Sequence, residues 1–164
     1  MKLIIGLGNP GDKYKNNRHN IGYKVADELK AQSSKLKTQS SKLKNILVAK
    51  TNIFMNESGE KVKHLVSQYP GISMSDLFIV HDDLDIKLSE YKIQKGKGPK
   101  DHKGLLSIYE ALGTKDFWHV RVGVENRPDR KIAGEDYVLQ NFTEEEKLII
   151  NKVINEICKK LATF

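Results

Sequence analysis

The chain has 164 residues, of which 38% are hydrophobic and 30% are charged, a balance typical of one globular domain with a buried core. No segment has the apolar length of a membrane-spanning helix or a signal peptide, so we expect a cytoplasmic protein with no membrane partner. The single cysteine, Cys158, excludes an internal disulfide and fits a reducing compartment. The net charge of +7 favours a polyanionic partner, although a basic balance also suits a merely soluble protein.

Strand-like and helical segments alternate along the chain. Apolar runs predict strands at Lys2–Leu7, Ile46–Lys50, Leu77–His81, Glu90–Gln94 and Trp118–Val124. Helical periodicity predicts helices at Ile21–Gln32, about Glu57–Tyr69, Gly104–Leu112 and from about Glu144 onward. Thr143 is predicted to cap the last helix, with Glu146 completing a capping box. This alternation predicts an α/β fold whose mixed, mostly parallel central sheet is covered on both faces.

The first strand runs into a glycine-rich turn, Gly6–Gly11, whose letters match the G-x-G-x-x-G pattern of dinucleotide-binding folds. The proline of this turn lacks an N–H and Asp12–Asn17 has no helical period, so the helix N-terminus that would receive a pyrophosphate is not predicted.

A site built from side chains is the better interpretation of the turn. Asn9 lies at the carboxyl end of the strand, where open α/β sheets bind ligands. His19 stands just before the first helix, for which Asn20 is a plausible N-cap.

Two lysine-rich segments are irregular. The hexapeptide Gln32–Lys37 is repeated as Gln39–Lys44, which predicts a duplicated surface segment. The second segment, Lys95–Gly104, is predicted to be a mobile loop with four lysines. Together with Lys92 and Arg121 on neighbouring strands, these lysines could grip phosphates.

The central strand ends in His81–Asp85, whose three carboxylates and one histidine could suggest a metal site. Adjacent strand residues point to opposite faces and cannot all converge, so we predict neither a metal nor another cofactor. The preferred interpretation pairs Asp82 with His19, because the first and third strands are expected to be central neighbours. A carboxylate on one imidazole nitrogen fixes the tautomer and leaves the other nitrogen to take a proton from water. The spacing is equally compatible with a turn-capping Asp82 and an exposed His19.

Four further residues have a structural interpretation that competes with a functional one. Asn56 is either the N-cap of the helix that follows it or a substrate-holding amide at the end of the second strand. His64 and His119 are predicted to be surface or packed residues. Cys158 lies on the apolar face of the last helix and is predicted to be a packed thiol, not a nucleophile.

Seven segments taken together resemble the bacterial peptidyl-tRNA hydrolase family, in the family's order over nearly the whole chain. They are Gly6–Gly11 with Tyr14, Arg18–Gly22, Phe54–Gly59, His81–Asp85, His102–Leu105, Arg121–Gly123 and Asp136–Leu139. Each is weak alone, but jointly they are highly specific. The resemblance implies a monomeric, single-domain three-layer αβα sandwich over residues 1–164 that needs no cofactor. Its partner would be peptidyl-tRNA, hydrolysed at the ester that joins a peptide to the 3′ ribose.

The resemblance also implies three catalytic residues. His19 would be the general base, Asp82 would stabilise its proton-accepting form, and Asn9 would contact the peptide part of the substrate. An ester has a good leaving group, so an oriented base, worth roughly 10²–10⁴ in rate, and amide donors to the oxyanion suffice without metal or covalent intermediate.

Four residues would bind the substrate on the family pattern: Tyr14, Phe54, Asn56 and Arg121. The first three would line the cleft and the last would hold a tRNA phosphate. The chain departs from the family at Lys103, which replaces an asparagine that contacts substrate, so that role is not carried over. Lys103 either donates to the same oxygen or marks altered activity. The alternative function is therefore a non-catalytic RNA-binding relative, of the kind that acts as a splicing factor.

Overall fold

The computed structural model describes residues 1–35 and 45–164, and it contains a five-stranded sheet in the order β2-β1-β3-β5-β4. The strands are β1 (Lys2–Gly6), β2 (Ile46–Lys50), β3 (Leu77–Lys87), β4 (Tyr91–Lys95) and β5 (Trp118–Glu125). The pairs β1–β2, β1–β3 and β3–β5 are parallel and β4 is antiparallel to β5, which confirms the predicted mixed, mostly parallel sheet. Most of the lysine-rich repeat predicted at Gln32–Lys44 lies outside the described residues.

Helices cover both faces of the sheet, which confirms the predicted αβα sandwich. They are α1 (Ile21–Lys35), α2 (Ser58–Ser67), α3 (Lys103–Leu112), α4 (Gly134–Tyr137) and α5 (Glu144–Thr163). One core cluster joins the sheet to α1 and α5, and a second joins it to α2 and α3. On β1 the side chains alternate between them, with Ile4 in the first cluster and Ile5 in the second. No helix within the described ranges has the length and apolar character to cross a membrane.

The last helix begins and packs as predicted. The Thr143 hydroxyl accepts from the Glu146 N–H at 3.2 Å, and a Glu146 carboxylate oxygen accepts from the Thr143 N–H at 2.9 Å. Cys158 is fully buried in the core, and burial among apolar groups raises the pKa of its thiol to about 12. The thiolate is therefore strongly disfavoured, in agreement with a packed cysteine.

The N-cap predicted at Asn20 is wrong, and of the two interpretations of Asn56 the N-cap is not the one observed. Asn20 belongs to a 3₁₀ turn, Arg18–Asn20, that continues directly into α1, and Asn56 belongs to a similar turn, Met55–Glu57, ahead of α2. In these turns the backbone supplies the acceptors, since the Asn20 N–H donates to the Asn17 carbonyl and the Glu57 N–H to the Phe54 carbonyl. The amide of Asn20 is thereby free for other bonds.

A glycine brings the start of α1 against the sheet. A Cβ atom on Gly22 would lie 2.4 Å from the Val80 carbonyl oxygen and 2.5 Å from that of Leu7. The close approach places the turn before α1, which carries His19, beside the carboxyl end of β1 and the middle of β3.

Candidate active site

A cleft of about 950 Å³ opens at the carboxyl ends of the parallel strands. Five of the seven residues predicted to form a site line it: Asn9, His19, Phe54, Asn56 and Asp82. Its other walls come from residues 99–103, ahead of and within the start of α3, and from residues 133–139, around α4. This is the edge of an open α/β sheet where ligands usually bind.

His19 and Asp82 are in direct contact within this cleft. Nδ1 of His19 lies 2.9 Å from Oδ1 of Asp82. The aspartate side chain is 3% exposed and the histidine side chain is 14% exposed. The pairing predicted from strand order is therefore present, and the imidazole reaches the cleft while its partner is shielded from water.

The surroundings shift the pKa values of the two groups in opposite directions. Burial alone would lower the pKa of His19, but the charge of Asp82 and its hydrogen bond outweigh burial, so this pKa is raised above 6.5. Burial would raise the pKa of Asp82, but the facing imidazoles of His19 and His102 hold it well below 3.8. Asp82 therefore stays ionised at neutral pH, and Nδ1 of His19 donates to it. The other nitrogen, Nε2, then carries the lone pair of a base.

A second histidine, His102, contacts the same carboxylate oxygen and was not predicted as a site residue. Its Nε2 lies 2.9 Å from Oδ1 of Asp82, and its Nδ1 accepts from the Leu105 N–H at 3.2 Å, which caps α3. Because Nδ1 accepts, Nε2 must carry the proton that it donates to Asp82. In the sequence, His102 stands just before a helix and within the matched segment His102–Leu105, and neither feature indicates the contact with Asp82.

The ligand atoms of His19, Asp82 and His102 all lie within 4.8 Å of one another, a spacing that could also hold a metal ion. A metal on Nε2 of His102 would need that nitrogen's lone pair. The Leu105 N–H already occupies the lone pair of Nδ1, and a neutral imidazole has only one. The donor set therefore fits a hydrogen-bonded relay better than a metal centre.

Asn9 is held by three hydrogen bonds. Its backbone N–H donates to Oδ1 of Asn20 at 2.8 Å, and its carbonyl accepts from Nδ2 of Asn20 at 2.9 Å. Its own Oδ1 accepts from the Met55 N–H at 2.8 Å. Since the oxygen is engaged and the residue lines the cleft, Nδ2 is the part of this side chain left to donate to a ligand.

The rim of the cleft combines apolar and basic groups. Phe54 is 50% exposed and Leu139 is 46% exposed, and Tyr14 packs edge-on against Phe54 with ring centroids 6.3 Å apart. Lys103, at the start of α3, lies 3.9 Å from Glu135 on the opposite wall. Its positive charge opposes protonation of His19, although Asp82 outweighs it.

Arg121 does not lie in the cleft, so the phosphate role predicted for it is corrected. Its Nε donates to Oδ2 of Asp83 and its Nη1 to Oε1 of Gln94, both at 2.7 Å. The side chain is buried and its charge is neutralised by Asp83. The cleft is instead lined by other basic residues, namely Lys100, Lys103, Arg127 and Arg130.

The fold and the site define a class of protein, an α/β protein with a histidine–aspartate pair in a cleft at the carboxyl edge of its sheet. A family model described as peptidyl-tRNA hydrolase matches residues 3–164. The chain belongs to the peptidyl-tRNA hydrolase family.

Known relatives cover most of the chain. The peptidyl-tRNA hydrolase of Mycobacterium avium (strain 104) is 41% identical over 156 residues, which is 88% of this chain and 81% of that protein. That of Sulfurihydrogenibium sp. (strain YO3AOP1) is 37% identical over 164 residues, covering 94% and 85%. The crystal structure of peptidyl-tRNA hydrolase from Acinetobacter baumannii superposes with a TM-score of 0.79 at 27% identity, covering 98% of this chain and 86% of that one.

Proposed function

We propose that this protein hydrolyses peptidyl-tRNA at the ester between the peptide and the 3′ ribose, and so recycles tRNA. The observation that carries the proposal is the His19–Asp82 contact of 2.9 Å inside a cleft of about 950 Å³. Membership of the family supports the choice of substrate. The finer details of location and assembly are part of the same proposal: residues 1–164 act as one domain, as a monomer, in the cytoplasm.

The proposed reaction is general-base hydrolysis. Nε2 of His19 takes a proton from water as the water oxygen attacks the ester carbonyl, and Asp82 stabilises the imidazolium that forms. As the tetrahedral intermediate collapses, the bond between the former carbonyl carbon and the ribose 3′ oxygen breaks. The imidazolium of His19 returns its proton to that 3′ oxygen. Nδ2 of Asn9 donates to the peptide part of the substrate, a role supported by its position in the cleft and by the engagement of its Oδ1 with the Met55 N–H.

In this proposal the rest of the cleft binds the substrate. Phe54 and Asn56 form one wall for the group esterified to the ribose, and Tyr14, which does not line the cleft itself, packs against the ring of Phe54. The basic residues of the opposite side, which include Lys103 and Arg130, face the polyanionic tRNA. His102 holds the Asp82 carboxylate in place through the hydrogen bond from its Nε2.

The test is release of tRNA from an N-blocked aminoacyl-tRNA. Wild type is expected to turn over this substrate and His19→Ala to lose roughly 10²–10⁴ in rate. His64→Ala is the matched control, because His64 is an exposed residue of α2 that does not line the cleft, and it should retain wild-type activity. Wild-type protein that binds tRNA tightly in a salt-dependent way without any turnover would reject hydrolysis in favour of the RNA-binding alternative.

A further inference from the structure

Arg18, the neighbour of His19, forms an ion pair with Glu146 in the protein interior. Nη2 of Arg18 and Oε1 of Glu146 are 2.6 Å apart, and the two side chains are 4% and 3% exposed. The desolvation of two buried charges largely cancels their attraction, so such a pair contributes little net stability compared with apolar residues of the same size. Its geometry is more informative than its strength.

The guanidinium of Arg18 connects the turn of His19 to the wall of the cleft. Nη1 donates to the carbonyls of Tyr137 and Gln140, each at 3.2 Å, and the guanidinium carbon lies 3.9 Å from the centre of the Tyr137 ring. The main chain follows the same line, since the Arg18 N–H donates to the Gln140 carbonyl and the His19 N–H to the Val138 carbonyl. Val138 itself lines the cleft, so one residue fixes the base relative to the wall beside it.

Glu146 fixes the other end of this arrangement. Its Oε1 accepts from the Thr143 N–H at 2.9 Å in the capping box of α5, and its Oε2 accepts from Nδ2 of Asn126 at 3.1 Å. The carboxylate therefore ties the start of α5 and the segment after β5 to the guanidinium. A planar group with several donors suits these simultaneous bonds, which a lysine ammonium could not reproduce.

We infer that Arg18 and Glu146 are positioning residues that hold His19 in register with Asp82 and with the cleft wall at 134–139. The inference rests on the proposed function for its catalytic consequence. Its structural consequence, the orientation of the His19 imidazole, can be measured without any substrate.

The test compares the same substitution at two places in the first turn of α5. Glu146→Gln removes the negative charge that faces Arg18 in the buried pair. Glu144→Gln removes the negative charge that faces Lys147 in an exposed pair. For each folded protein, kcat and KM are measured on N-blocked aminoacyl-tRNA and the His19 imidazole is titrated by NMR. We expect Glu146→Gln to lose about tenfold or more in kcat/KM, as small misplacements of reacting groups do. Its His19 midpoint should move to lower pH as the contact with Asp82 loosens, whereas Glu144→Gln should match wild type.

A merely structural role would give a different result. It would reduce the folded fraction, and with it the apparent kcat, but leave KM and the His19 midpoint of the folded protein unchanged. Arg18→Lys separates charge from geometry, since it keeps the charge and loses the planar donors, and it should behave like Glu146→Gln. Wild-type kcat/KM and a wild-type His19 midpoint in both variants would overturn the inference.

A milder variant covers the case in which Glu146→Gln does not fold. Asn126 is exposed, so Asn126→Ala removes one donor to Oε2 of Glu146 without opening the core. It should shift kcat/KM and the His19 midpoint in the same direction by a smaller amount, and wild-type values there would overturn the inference. If wild type shows no hydrolysis, the proposed function fails while the His19 midpoints still decide this inference.

Discussion

At the scale of single residues, the behaviour of His19 depends on the charge of Asp82. A general base must be neutral to accept a proton, so activity rises with pH through the pKa of His19, which lies above 6.5. We predict that Asp82→Asn moves the acid limb of kcat/KM to lower pH, because the charge that raises this pKa is gone. The rate on the plateau should also fall, since the imidazole is no longer held in the required tautomer. The measurement is the pH profile of hydrolysis for both proteins, and an unchanged acid limb would contradict the pairing.

His102 also donates a hydrogen bond to the Asp82 carboxylate, so we predict that its removal lowers activity. Hydrogen bonds to charged groups contribute about 1.5–3 kcal/mol, so His102→Ala is expected to reduce kcat/KM about tenfold or more. His64→Ala is again the matched control for replacing a histidine by alanine on this chain. Steady-state kinetics of the two variants distinguish them, and equal, wild-type-like values would show that His102 has no part in holding Asp82.

The sequence predicted some site residues and missed others for physical reasons. His19 and Asp82 could be paired because carboxyl ends of neighbouring parallel strands meet at one edge, a rule that needs no coordinates. His102 lies on an irregular segment, and its contact depends on a loop path that no periodicity reveals. The phosphate role of Arg121 rests on the family pattern and on the nearby lysines, and a charged residue on a strand gives no sign that it faces a buried carboxylate such as Asp83.

At the scale of secondary structure, the strands and long helices follow from apolar periodicity. Their predicted bounds are close to those observed except at the end of β3, which was predicted at His81 and lies at Lys87. The helix starts were the weak point. Asn20 is a residue type that often caps helices. Here the backbone carbonyls of the 3₁₀ turn accept the first N–H groups, and the Asn20 side chain binds Asn9 instead. The short helix α4, which forms part of the cleft wall, was not predicted because four residues carry no periodic signal.

The contact between α1 and the sheet gives a prediction at this scale. Gly22→Ala places a methyl group 2.4 Å from the Val80 carbonyl oxygen, so the helix must shift, at a cost of about 1–3 kcal/mol in the free energy of unfolding. Gly71→Ala is the control, because no neighbouring atom of residues 1–35 and 45–164 lies within 4 Å of its Cβ position. Urea unfolding of both variants gives the comparison. Equal stabilities would show that α1 does not pack against the strands as closely as described.

At the scale of the whole molecule, two buried histidines make stability depend on pH. Burial holds the pKa of His81 well below 6.5 and lowers that of His119 to about 4. Between about pH 6.5 and 4 the unfolded chain therefore binds more protons at these positions than the folded protein. The free energy of unfolding should decrease by about 1.4 kcal/mol per pH unit for each of these histidines as the pH falls through this range.

The pKa shifts of His19 and Asp82 do not cancel this loss. The raised pKa of His19 contributes stability that is fully present below pH 6.5 and is lost as the pH rises from there through the raised pKa, and it is one group against two. The lowered pKa of Asp82 matters only below about pH 3.8. Urea midpoints at pH 7 and pH 5 measure the effect. His119→Gln should flatten the dependence and the exposed His64→Gln should not, so equal slopes in all three proteins would contradict it.

The central claim is that the imidazole of His19 is the base that activates water. The most direct measurement is the NMR titration of His19 in the free enzyme, set beside the acid limb of kcat/KM for N-blocked aminoacyl-tRNA, since that limb reports the pKa of the free enzyme's essential base. The two midpoints are predicted to coincide above pH 6.5. A kinetic midpoint clearly separated from the His19 titration, or a rate that does not depend on pH in this range, would contradict the claim.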